Sequence, residues 1–107
     1  MTKKVIVCDK NHKVIHRYKN LGGFHRFITK RWKQALYTTD NCQPTSVHLY
    51  KNYKGPDVEP LHARHKLLVL FDNLDYAYIF FASYEVMEQH VKRWTNLRGL
   101  PIRRYGV

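Results

Sequence analysis

Apolar residues recur along this chain at two different spacings, and the switches between them divide it into elements. The runs KVIVC at 4–8 and KVIHRY at 13–18 are rich in β-branched residues and flank Asp9, Lys10, Asn11 and His12, a pattern that predicts a hairpin closed by a tight turn. Regular alternation in the second run places Val14, His16 and Tyr18 on one face and Ile15 and Arg17 on the other. From Leu21 to Tyr37 the spacing becomes helical. Leu21, Phe24, Ile28, Trp32, Ala35 and Leu36 gather on one side, Arg26, Lys30 and Lys33 on the opposite one, with Tyr37 beside them. Asn20 is placed to cap this helix, while Gly22 and Gly23 weaken its first turn and move the expected start toward Phe24.

A polar stretch, TTDNCQPT, follows. In SVHLYKNY at 46–53, Val47, Leu49 and Tyr53 alternate against His48, Tyr50 and Asn52, as in a half-buried strand. Residues 54–65 contain Gly55, Pro56 and Pro60 and predict a long loop. KLLVLF at 66–71 lacks polar alternation and predicts a central strand covered on both faces. The run Asp72-Asn73-Leu74-Asp75 turns the chain, and YAYIFFA returns as an antiparallel partner. Ser83 caps a second helix over 84–97, with Val86, Met87, Val91, Trp94 and Leu97 inward, and Glu85, Glu88, Lys92 and Arg93 in water. Gly99 and Pro101 stop it, and PIRRYGV either adds a short edge strand or hangs loose. The expectation is a single α+β domain over 1–107, in which a small antiparallel sheet of about five strands carries two helices on one face, in the order ββα-βββα.

The segment LDYAYIFFAS, followed by a helix and then LRGLPIRRYGV, resembles the third strand, second helix and last strand of RNA-recognition-motif domains. The resemblance covers the last third of the chain. It implies that Tyr76, Ala77, Tyr78, Ile79 and Phe81 occupy the motif strand, with Tyr76, Tyr78 and Phe80 on one sheet face, where tyrosines at that spacing stack bases if the face is open. Asp75 stands beside the place where that motif has Lys or Arg followed by Gly, and no matching first-strand motif lies upstream. An amphipathic strand with its aromatics in a core accounts for the same residues.

Charge changes this picture more than composition does. Nineteen Lys and Arg against eight Asp and Glu give +11 over 107 residues, and the excess is uneven: residues 1–37 carry +9, residues 38–75 carry −1 and residues 76–107 carry +3. A positive field concentrated in the first hairpin and helix attracts nucleic-acid phosphates or an acidic protein, and a merely solvated face usually mixes signs. The candidate nucleic-acid-binding residues are Lys13, Arg17, Arg26, Lys30, Lys33 and Tyr37, acting as one surface on DNA or RNA without catalysis. The alternative from a different class is a protein-interaction module, a small inhibitor or adaptor, docking the same face on an acidic partner.

A second alternative, a small nuclease, would use His62 and His65 with Arg64 in the long loop, but no paired carboxylates, nucleophile elbow or phosphate loop accompany them. His90 lies on the apolar side of the second helix and suits packing. Cys8 falls in an apolar run, as a buried thiol would, and Cys8 and Cys42 lack metal-site spacing, so no metal or cofactor is expected. No stretch reaches the roughly 18 to 20 apolar residues of a membrane span, and only four apolar residues precede Asp9 after the basic start, which excludes a signal-peptide core. No membrane association and a cytoplasmic location are the expectations, and nothing in the sequence fixes the oligomeric state.

Overall fold

The computed structural model describes residues 5–34, 43–55 and 64–106, and within the first span the side chains up to residue 31. Six strands and three helices follow one another as β1 (Val5–Cys8), β2 (Val14–Tyr18), α1 (Leu21–Gln34), β3 (Pro44–Tyr50), β4 (His65–Phe71), β5 (Tyr76–Phe81), α2 (Tyr84–Arg93), α3 (Thr95–Arg98) and β6 (Ile102–Tyr105). The α+β class and the ββα-βββα order hold. A sixth strand and a short third helix extend them.

The strands form one sheet in the order β2-β1-β5-β4-β3-β6, antiparallel throughout except for β3 and β6, which run parallel. These pairings orient β2, β5, β3 and β6 the same way. The two helical connections, β2 to β3 and β5 to β6, therefore join parallel strands and travel in the same direction across the sheet. Right-handed crossovers then place both on the same side. Phe24, Phe27 and Ile28 of α1 and Met87 and Val91 of α2 accordingly share one buried core with Val5, Val7, Val47, Leu49, Leu67, Val69, Ala77 and Ile79. The other side of the sheet carries no helix among the described residues. Its smaller buried cluster consists of Ile6, Cys8, Tyr78 and Phe80, with Val14, Tyr53, Leu68 and Tyr76 packed around them.

Several boundaries and faces depart from the sequence pattern. The helix α1 starts at Leu21 rather than near Phe24: Asn20 Oδ1 accepts the Gly23 N–H at 2.9 Å, and the glycine lets the first turn rest on Tyr18, where an added Cβ would lie 3.1 Å from the Tyr18 side chain. In β2, Val7 faces His16 but Cys8 faces Val14, so Ile15 is an extra, bulged residue. That insertion moves Val14 to the helix-free side with Arg17, which pairs with Ile6, and leaves His16 and Tyr18 on the helix side. The turn ahead of it forms as expected, with Asp9 Oδ1 accepting from the Asn11 and Lys13 amides and His12 at φ 65°.

The strand β3 ends at Tyr50, because Asn52 at φ 55° turns the chain and sends Tyr53 to the helix-free side instead of beside Val47 and Leu49. Only one face of β4 is fully covered. Leu67, Val69 and Phe71 are buried under the helices, whereas Leu68 and Leu70 on the reverse are half-buried. The second helix breaks at Trp94, and its inner face uses Tyr84 with Met87 and Val91, leaving Val86 exposed. Ser83 caps it through the Val86 N–H. The C-terminal run is the edge strand β6, tied to α2 by a two-pronged pair in which Arg104 Nε and Nη2 donate to Glu88 at 2.6 and 3.0 Å. Glu88 is thus spent on β6 rather than left in water.

Candidate functional site

On α1, Arg26 and Lys30 lie one turn apart and are both exposed. Lys33 belongs to the same helix with its side chain outside the described residues, and Tyr37, Trp32, Ala35 and Leu36 fall there as well. Arg31 behaves differently. Seven residues after Phe24, it falls in the middle of the apolar stripe, and its guanidinium lies over the rings of Phe27 and Phe71 at 4.8 and 4.7 Å while Nη2 donates to Asp75 at 3.1 Å. A cation at helical register with a core stripe must find a carboxylate, and that spacing was the available signal. Phe27, which the stripe omitted, is buried beside it.

The fold adds cations to this side that linear reading did not assemble. Asn96 of α3 donates to Thr29 of α1 at 2.8 Å, and the His25 and Trp94 rings meet at 6.2 Å. These contacts bring the exposed Arg93 and Arg98, at the ends of α2 and α3, into the helix layer that carries Arg26 and Lys30. Of the described carboxylates, Asp75 pairs with Arg31 of α1 itself, Asp9 closes the first turn, Asp72 sits in the β4–β5 turn, Glu85 accepts from Ser83 Oγ and Glu88 holds Arg104. Neither α1 nor any of the six strands contains an Asp or Glu.

The hairpin does not join α1 in one surface. Lys13 is exposed at the foot of β2, and Arg17 lies on the helix-free side, so the sheet separates it from Arg26 and Lys30. That second side is itself basic and aromatic. Register aligns Arg103, His48, Leu68, Tyr78, Ile6 and Arg17 in one row across it, and Tyr105, Tyr50, Lys66 and Phe80 in the next. Tyr78 and Phe80 are buried, with the Lys66 ammonium 4.7 Å above the Tyr78 ring and 4.3 Å from that of Tyr53, and Tyr76 is half-buried with its hydroxyl 2.8 Å from His12 Nδ1. The two tyrosines suggested for base stacking are therefore packing residues at Tyr78 and a half-covered ring at Tyr76.

The open aromatics are at the other end, on β3 and β6. Tyr50 and Tyr105 stack at 4.5 Å with planes 12° apart, and His48 stacks on Tyr105 at 5.8 Å, with its Nδ1 3.0 Å from the Tyr105 hydroxyl. Burial, and then the neighbouring Tyr105 and Tyr53, raise the Tyr50 pKa. Burial, assisted by Arg103, lowers that of His48.

His65 is not a loop residue. It begins β4, buried against Tyr84, and its Nδ1 accepts the Asn52 amide at 3.2 Å, which fixes the proton on Nε2. Burial first, and Lys51 second, lower its pKa. His62 lies outside the described residues, as does Cys42, and Cys8 is buried. His90 packs between Phe81 and Trp94. Among the described residues no three His, Cys, Asp or Glu side chains are grouped to hold a metal, and no helix is long and apolar enough to cross a membrane. No protein-family profile, curated protein or solved structure matches the chain.

Proposed function

We propose that this protein is a non-enzymatic nucleic-acid-binding domain that holds phosphates on its helix layer, through Arg26 and Lys30 of α1 with Arg93 and Arg98 added across the contact with α3. The observation that carries this reading is the segregation of charge. These four cations are exposed, and of the described carboxylates Asp75 meets α1 at Arg31 while the others lie in turns, at a cap or against Arg104, so the field in front of Arg26 and Lys30 stays positive. Phosphate contacts of this kind position a backbone without reading bases, so binding is weakly sequence-specific and strongly salt-dependent.

Fluorescence anisotropy of a short labelled duplex at two salt concentrations tests it. Binding should weaken steeply with salt, and Arg26→Glu with Lys30→Glu should reduce the steepness by about one unit per lost contact. Absence of binding to duplex DNA or RNA at low salt overturns the reading. A protein whose capture survives nuclease treatment, and is lost with Lys30→Glu, would point to an acidic protein partner in its place.

A further inference from the structure

We infer that the β3–β6 end of the helix-free sheet face is a second site, one that takes single-stranded nucleic acid by stacking a base on Tyr105 and holding its phosphate with Arg103. The site is separated by the sheet from the phosphate-binding helix layer and deepens that function by naming a further ligand class. Three observations converge on it.

The first is geometric. Tyr105 is 38% exposed and lies on an edge strand. Its stacking partners, Tyr50 at 4.5 Å and His48 at 5.8 Å, both belong to β3, on its inner side. No described strand flanks its outer side, so a flat ring can continue a stack that already runs from β3 to β6. The hydrogen bond between the Tyr105 hydroxyl and His48 Nδ1, 3.0 Å long, and the T-shaped contact of Tyr50 with Tyr53 fix these rings before any ligand arrives. The second is chemical. Adjacent arginines on β6 point to opposite faces: Arg104 turns inward to Glu88, whereas Arg103 pairs in register with His48 on the aromatic side and is exposed. All the cross-strand neighbours on this face are aromatic, aliphatic, hydroxyl or cationic, and a stacking surface edged by cations suits a base joined to a phosphate. The third is a shallow depression lined by Asn52, Tyr53, Lys54 and Arg64, which continues the surface past Tyr50 and supplies two more cations for the next phosphate along a strand.

An acidic peptide would satisfy the cations but leave the rings unused, and duplex DNA would keep its bases stacked and unavailable. The probes are a short labelled oligothymidine, an abasic phosphodiester chain of equal length and charge, and a duplex, each titrated against the full chain and against Tyr105→Ala and Tyr105→Phe. Oligothymidine should bind about tenfold or more tighter than the abasic chain. Tyr105→Ala should weaken it about five- to hundredfold while Tyr105→Phe retains it, and neither should alter duplex binding. Thermal melts of the exposed-site variants confirm that they fold. Equal affinity for oligothymidine and the abasic chain, or an oligothymidine affinity unmoved by Tyr105→Ala, overturns the stacking site. Duplex binding that disappears in the Arg26→Glu, Lys30→Glu variant stands whichever way those results fall, and failure of every nucleic acid to bind removes both readings.

Discussion

The two faces of this sheet are built from the same strands and are covered differently. On the helix side, alternate residues of β1, β3, β4 and β5 are aliphatic or small apart from Phe71, Phe81 and His65, and they are sealed under the helices. On the reverse, the intervening residues of the same strands include Tyr50, Tyr76, Tyr78, Phe80, His48 and Lys66, and burial runs from complete at Tyr78 to partial at Tyr50. The difference teaches that one sheet can seal one side completely and leave the other partly open. One face gains by excluding water from flexible aliphatic chains, whereas the other keeps rigid amphipathic rings whose polar tips have partners in His12 and His48.

Adjacent residues of β4 offer the sharpest way to break that contrast. Leu67→Ala removes a fully buried side chain under the helices and should cost about 2–5 kcal/mol in urea denaturation, whereas Leu68→Ala on the half-covered side should cost clearly less. Equal losses would mean that the faces are not energetically distinct. Gly23→Ala probes how closely α1 is seated. Its Cβ would press on Tyr18 at 3.1 Å, and overpacking of about 1–3 kcal/mol should outweigh the roughly 1 kcal/mol gained in helix propensity. A stabilised variant would show that Tyr18 yields without cost.

Glu88→Gln tests the link between α2 and the edge strand. The pair is partly exposed at Arg104, so a loss of about 1 kcal/mol at neutral pH is expected. Hydrogen bonding from Arg104 holds the Glu88 carboxyl below its ordinary value, so this stabilisation is present above the unfolded carboxylate pKa and disappears as pH falls through the folded one. The variant should lack that part of the acid-side decline. The smallest effect concerns His65. Its folded pKa is lowered by burial from 6.5, so the unfolded chain takes up the proton first and stability should decline as pH drops below about 6.5. In thermal melts across that range His65→Gln should flatten the slope.

Local chemistry was legible in the sequence and pairing was not. Asn20 and Ser83 announce their helices, Asp9 and Asp72 to Asp75 their turns, and VIVC and KLLVLF their strands, because each depends on neighbours a few residues away. The Ile15 bulge depends on how β2 meets β1, so alternation alone assigned Val14 to the wrong face. IRRY has no apolar alternation to mark it as a strand; it becomes one because β3 offers a free edge and Glu88 holds Arg104. The candidate site shows the same limit. Arg26 and Lys30 were legible from helical spacing, whereas Arg93 and Arg98 joined them only through the packing of α3 on α1, and Tyr105 reached Tyr50 and His48 only through β6.

The bulge at Ile15 has a bearing on how these molecules behave at high concentration. The strand β2 is one border of the sheet, with Ile15 37% exposed on it, and a straight border of β-branched residues invites another chain to dock by backbone hydrogen bonds and start a fibril. An extra residue in mid-strand twists the border and breaks the regular spacing of its outward-facing amides and carbonyls, so an incoming strand finds no continuous register to extend.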